Sequence, residues 1–233
     1  DSDPGAVALG AKPLDAEEST NYSLGAVFQA GGFNLTVDAY RIKITDRIVL
    51  SENLTQANVR AYLTAQGFVG VGGGRFFING VDTVTKGVDV VASFALLNET
   101  AGRFDFTASA NFNKTDVTRI PAISQLAALT PPPPLFDRNN ILTFEKGTPK
   151  NKYSLATNWK RDRLGATLRA TRYGEALSPA TTSALDFVLS PKTLVDIEGR
   201  FDFNEHLKAA IGADNIFDKY PDPLPPALNT TGA

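Results

Sequence analysis

The feature that most constrains this chain is a run of eight stretches in which apolar and polar residues alternate with period two. They lie near Ser19–Ala30, Phe33–Leu50, Val81–Leu97, Phe104–Lys114, Tyr153–Lys160, Leu164–Gly174, Lys192–Phe203 and His206–Phe217. In the fourth, Phe104, Phe106, Ala108, Ala110 and Phe112 oppose Asp105, Thr107, Ser109, Asn111 and Asn113. In the seventh, Val195, Ile197, Gly199, Phe201 and Phe203 oppose Leu194, Asp196, Glu198, Arg200 and Asp202. Alternation of this kind, rich in β-branched and aromatic residues, predicts strands with one apolar and one polar face.

The connections between the stretches alternate in length. Gly31-Gly32, Asn98 to Gly102, Lys160 to Arg163 and Asn204-Glu205 have hairpin length. Ser51 to about Arg75, Thr115 to Lys150, Glu175 to Pro191 and the segment from Asp218 onward are long. Regular alternation places every long loop at one end of an up-and-down antiparallel sheet. A soluble sandwich has no reason to sort its loops in this way, whereas an outer-membrane barrel has short turns on one side and long loops on the other. Aromatic placement points the same way. Phe28, Phe33, Phe104, Trp159 and Phe203 lie beside the short turns, and Phe112, Tyr153 and Phe217 lie near the long loops, as two interfacial girdles would.

Composition removes other classes. Across 233 residues, 23 Lys and Arg nearly balance 25 Asp and Glu, so no basic surface is available to a nucleic acid. Cysteine is absent, which removes disulfides, thiolate metal sites and thiol nucleophiles, and one histidine, His206, makes no multi-histidine metal site. No apolar run approaches the roughly 18 residues of a membrane helix, a test that strands of about 9–11 residues escape. The absence of methionine and the opening Asp1-Ser2-Asp3-Pro4 predict a processed chain or a fragment.

Local motifs read as structural. Leu54 to Gln66 predicts a short helix, with Ser51 or Asn53 as cap and Gly67 as its stop. The glycine-rich Val69 to Arg75 lacks the Gly-Lys-Ser/Thr and following helix of a phosphate cradle. Pro131 to Pro134 predicts a stiff polyproline spacer. His206 has no serine and aspartate near it in sequence and reads as a solvated turn residue, so no catalytic residue is expected. Asp196, Glu198 and Asp202 are interspersed with Arg200 and face Lys208 of the next strand, which reads as a solvated, mixed-charge wall rather than a carboxylate pair or metal site. The Asn-X-Ser/Thr triplets at Asn21, Asn34, Asn53, Asn98, Asn113 and Asn229 read as chance products of a threonine-rich β protein.

Four segments resemble a known family. Gly212-Ala213-Asp214-Asn215-Ile216-Phe217-Asp218-Lys219-Tyr220-Pro221 resembles the N-L/I-F-D-K-x-Y/P segment that closes the penultimate strand of TonB-dependent outer-membrane receptors. Glu17 to Gly25 is similar to that family's P-E-x-S-x-x-Y-x-L-G strand entry. Phe33 to Leu50 is similar to the L-x-x-D-x-Y-x-I-x-I-x-D-R-I strand that follows, and Asn79 to Asp89 to the strand carrying K-G-V-D/E.

The resemblance implies an all-β, up-and-down transmembrane barrel segment, about eight strands of a 22-stranded barrel. Residues 1–233 would form part of the barrel domain, with the plug and final strand outside the matched pattern. It implies active import of a ferric siderophore, cobalamin or oligosaccharide across the bacterial outer membrane, with energy relayed by TonB through the plug. The expected partners are outer-membrane lipid, TonB and a small-molecule or metal-chelate substrate, with no resident cofactor, no metal and no nucleic acid. On this reading Asp105, Asp196, Glu198, Arg200 and Asp202 line the lumen, and Arg60, Tyr62, Arg75, Phe76 and Arg138 are loop candidates for ligand contact. Two rivals are a complete eight-stranded barrel of structural or adhesin type and a soluble secreted β-sandwich binding module.

Overall fold

The computed structural model describes residues 3–120, 122–226 and 228, so the triplet at Asn229 lies outside the described residues. The described residues form ten strands: β1 (Glu18–Ala30), β2 (Phe33–Leu50), β3 (Phe77–Asn98), β4 (Gly102–Arg119), β5 (Asn151–Arg161), β6 (Leu164–Tyr173), β7 (Ala176–Ser178), β8 (Phe187–Leu189), β9 (Lys192–Asp202) and β10 (Lys208–Ala213). Eight form one sheet in the order β1-β2-β3-β4-β5-β6-β9-β10, while β7 and β8 pair only with each other. All eight period-two stretches therefore become neighbouring strands in chain order. The topology excludes both rivals: a sandwich needs two facing sheets, and a closed eight-stranded barrel needs β1 and β10 to pair, whereas they are the two edges.

The short connections are tight for local reasons. Gly31 and Gly32 both take positive φ, 54° and 81°, as a two-residue hairpin turn demands. The carboxamide Oδ1 of Asn98 accepts the N–H groups of Thr100 and Ala101, and that of Asn204 accepts those of His206 and Leu207. Each Asn side chain closes its own turn. His206 is exposed within the second of these turns.

By compactness the chain divides into two units. The first comprises Asp1–Asn21, Arg41–Thr85 and Thr115–Glu145. Its core holds Leu9, Leu54, Val59, Leu63, Phe76, Val81 and Leu126, each almost wholly excluded from water. Among the described residues there are four α-helices, α1 (Pro4–Ala8), α2 (Ala57–Ala65), α3 (Ser124–Ala127) and α4 (Arg138–Lys146), none long and apolar enough to cross a membrane. Helix α2 starts later than the sequence predicts, and Ser51, one of its two expected caps, is used elsewhere. Ser51 accepts the Phe76 N–H on its Oγ at 3.1 Å and donates its own N–H to the Phe76 carbonyl, while Leu54 exchanges backbone hydrogen bonds with Gly74. Gln56 becomes the N-cap residue, with no side-chain hydrogen bond to the helix. The same pairing accounts for the glycine run, since a Cβ on Gly73 would stand 2.2 Å from the Leu54 carbonyl oxygen. The proline run forms no regular element: the Pro131 carbonyl accepts from Asn58 Nδ2 on α2, and Leu135 and Phe136 beyond it are buried.

The second unit comprises Tyr22–Tyr40, Lys86–Lys114 and Lys146–Ala233. Its strands are antiparallel and in continuous register from β4 through β5, β6 and β9 to β10. Residues directly paired across strands share a face, so one lateral row reads Phe104, Trp159, Ala166, Gly199, Ile211 and the next reads Asp105, Asn158, Thr167, Glu198, Gly212. Apolar and polar rows alternate along the whole patch. The apolar face is fastened at its short-turn end by Trp159, whose Nε1 donates to the Ala101 carbonyl at 2.7 Å.

Candidate functional site

The register brings the five expected wall residues to one face. Asp196, Glu198, Arg200 and Asp202 fall on alternate positions of β9, and Asp105 reaches the Glu198 row through Asn158 and Thr167. Thr167 Oγ1 donates to Asn158 Oδ1 at 2.7 Å and accepts from Arg200 Nη2 at 3.0 Å, while Arg200 Nε lies 3.3 Å from Glu198 Oε1. Arg103 holds Asp105 through both Nε and Nη2, and Lys160 stands 3.8 Å from Asp202. Asp196 accepts the backbone N–H of Asn215 at 2.9 Å. Each of these four carboxylates thus has a donor partner. Among the described residues no three His, Asp or Glu side chains converge as metal ligands.

The Asn-Ile-Phe-Asp-Lys segment also gains a physical reason. Asn215 takes φ +49°, its Nδ2 donates to the Lys219 carbonyl at 2.9 Å and its Oδ1 accepts the Lys219 N–H at 3.0 Å. One carboxamide closes the turn in both directions, a task that Asn performs in the left-handed region at low cost. Just beyond it, Asp222 accepts the Ser190 N–H at 2.6 Å and also binds the Ser190 hydroxyl and the Lys192 ammonium. The hydrogen bond from Lys192, then those from Ser190, hold the Asp222 carboxyl down at about 2.

The loop candidates separate in the first unit. Arg60 is exposed on α2. Tyr62 is half-buried against the core, with its hydroxyl donating to the Ala8 carbonyl at 3.2 Å. Arg75 is exposed, but its Nε donates to the Ser51 carbonyl at 2.8 Å, and Arg138 is half-buried at the start of α4. Phe76 corrects the sequence expectation: at 1% exposure it is a core residue with no surface to offer a ligand. It follows Arg75 at the end of a long loop, where an aromatic signals contact or core equally; only the Ser51 pairing turns it inward.

The sequence reading missed the polar cluster that ties three strands together. Arg119 at the end of β4 binds Asp82 of β3 and Asp46 of β2, and Asp82 Oδ1 also accepts the Asp46 N–H at 3.1 Å. Asp46 takes φ +54°, a kink in β2, and its carbonyl accepts from Asn79 Nδ2 at 2.9 Å. Arg47 donates to Thr83 Oγ1 and lies 4.8 Å over the Phe144 ring. The Asp-Arg dipeptide within an otherwise β-branched run was the available signal. Nearby, the loop residue Glu52 accepts the Asp137 N–H at 3.3 Å and binds the Asn140 side chain, and burial raises its carboxyl above 4.5.

The TonB dependent receptor-like β-barrel family model matches residues 1–216. No curated protein matches the sequence. Among solved structures, the chain is similar to the apoprotein form of the FrpB iron transporter from Neisseria meningitidis, with TM-score 0.61 and 13% identity over 91% of this chain and 29% of that one. It is similar to the ferric enterobactin receptor from Pseudomonas aeruginosa, with TM-score 0.57 and 17% identity over 88% and 26%. It also resembles the ferripyoverdine receptor of the outer membrane of Pseudomonas aeruginosa, with TM-score 0.54 and 18% identity over 89% and 24%. At these identities the likeness shows the fold, and this chain spans about a quarter of the length of those proteins. The family match extends over every strand of the eight-stranded sheet, and the chain belongs to the TonB dependent receptor-like β-barrel family.

Proposed function

We propose that the chain is part of the wall and outer loops of an outer-membrane active transporter, one that imports a small-molecule or metal-chelate ligand with energy supplied through TonB. The observation that carries this reading is the two-faced sheet, whose apolar rows suit lipid and whose polar rows suit a wet, plug-filled lumen. In that role Asp105, Asp196, Glu198, Arg200 and Asp202 face the lumen, where Arg200 pairs with Glu198 and the neighbouring Arg103 and Lys160 offset Asp105 and Asp202. Arg60, Tyr62, Arg75 and Arg138 belong to the loop unit that would border the external ligand path. Ferric siderophore, cobalamin and oligosaccharide remain the substrate classes, and the neighbours named for iron complexes favour a metal chelate.

The test uses the full-length protein in its own cell. Envelope fractionation and heat-modifiable gel mobility should place it in the outer membrane as a barrel, and uptake of a labelled ferric chelate should fall when either its gene or TonB is deleted. A soluble product, or uptake unaffected by both deletions for chelates, cobalamin and oligosaccharides, would overturn the proposal.

A further inference from the structure

The apolar face of the β4-β5-β6-β9-β10 ladders carries a charge at two positions, Arg161 and Arg172, and the two are not equivalent. Arg161 is at the short-turn end and has Asp162 as a carboxylate partner at 3.7 Å. Arg172 is near the long-loop end, directly between Tyr153 on β5 and Thr193 on β9. Its Nη1 donates to Thr193 Oγ1 at 3.3 Å, and among the described residues no carboxylate pairs with it. A cation on a lipid-facing row is tolerated only at the interface, at about 0–1 kcal/mol against about 2–4 at mid-bilayer. Tyr153, in edge contact with Phe112 at 5.6 Å, marks that level in the same row.

Beside Arg172 the same face is grooved. A shallow, open groove of about 420 Å³ runs across β3 to β9, lined by Ala92, Ala108, Ala110, Leu155 and Ala170, with Arg172 and Thr193 at one end. Asn111 on the polar face donates to Asp89 at 2.6 Å, which puts Asp89 on that face and Val90 and Ala92 on the apolar one, so the groove is open to the apolar side. It combines a slot for a hydrocarbon chain with a guanidinium and a hydroxyl at the headgroup level.

We propose that Arg172, Thr193 and this groove form a binding site for a lipid with an anionic phosphate headgroup, its phosphate on the guanidinium and one acyl chain in the groove. The site rests on the reading of the apolar face as lipid-exposed. Arg suits the role because its planar fork presents two N–H groups to a phosphate and stays charged at every physiological pH. Charge complementarity selects the occupant, since the phosphate of an anionic lipid is unopposed, whereas that of a zwitterionic lipid carries its own quaternary ammonium as counter-charge.

The experiment is native mass spectrometry of the full-length protein in neutral detergent, titrated with dioleoyl phosphatidylglycerol or dioleoyl phosphatidylcholine. One phosphatidylglycerol should be retained at least tenfold more strongly than phosphatidylcholine. Arg172→Gln should abolish that preference, Arg172→Lys should restore part of it, and Ala170→Leu, which fills the groove and leaves the charge, should weaken retention of both lipids. Equal retention of the two lipids, or a preference unchanged in Arg172→Gln, would overturn the site. Heat-modifiable mobility, measured on every variant, separates the two readings: a folded barrel without the preference sinks the lipid site alone, and a protein that forms no barrel sinks the transporter reading as well.

Discussion

Arg119 holds Asp82 by two parallel hydrogen bonds, Nε to Oδ2 and Nη2 to Oδ1, each 3.0 Å long. The pair joins the outer end of β4 to β3, and the further contact to Asp46 brings in β2. It explains why β3 begins at Phe77 and β4 runs to Arg119, beyond the apolar alternation that marks the strands in sequence. In these extensions polar side chains take over the role of cross-strand apolar pairs, as Thr85 and Thr115 also do with hydroxyls 2.8 Å apart.

Removing the cation should loosen these extensions. Arg119→Leu leaves two carboxylates facing each other and is expected to cost about 1 kcal/mol, the upper end for a partly exposed pair. Amide exchange at Asp46, whose N–H is bound to Asp82, should accelerate in the variant while exchange in the β5–β6 ladder stays unchanged.

Phe76 and Arg60 should separate packing from surface chemistry. Phe76→Ala opens a cavity in the core of the first unit and should cost about 3–5 kcal/mol, read as much faster proteolysis within 51–76. Arg60→Ala touches no core residue and should change stability by less than about 0.5 kcal/mol. Comparable losses in the two variants would contradict the placement of Phe76.

Asp222 should make its segment acid-sensitive. Its folded carboxyl titrates at about 2 against an ordinary 3.8, so the bound form is favoured. A depressed carboxyl contributes its stability above the unfolded value and loses it as pH falls through the folded one. Protection of the Ser190 amide should hold from neutral pH to about 4 and be lost as pH falls through about 2. In Asp222→Asn the protection should be lower throughout and should not titrate in that window.

Gly87 should tolerate no side chain. A Cβ there would meet the Tyr40 ring at 2.3 Å and the Phe112 carbonyl oxygen at 2.8 Å, so the tyrosine covers the glycine and the backbone of β4 closes the other side. Gly87→Val is expected to cost about 1–3 kcal/mol through overpacking and to reduce the heat-resistant folded fraction of the full-length protein. Tyr40→Ala in the same background should recover part of it. This contact gives the Lys-Gly-Val-Asp stretch a steric meaning that the letters alone do not carry.

The eight sheet strands, their order and the sorting of short from long connections were legible in the residues, because period-two alternation and Asn or Gly turns act over a few neighbouring positions. The common face of Asp105, Asp196, Glu198, Arg200 and Asp202 followed from parity along each strand, though the row that links Asp105 to Glu198 needed the register. What lay beyond reach were contacts between residues far apart in the chain. Ser51 left its helix to pair with Phe76, and Phe76 turned into a core assembled from three separate segments. Helices α1 and α3 and the β7–β8 pair are too short for periodicity to declare, and packing decides them. Local sequence therefore determined which residues extend and which face each strand shows. Only tertiary structure decided the loops, where burial depends on partners that no spacing along the chain can name.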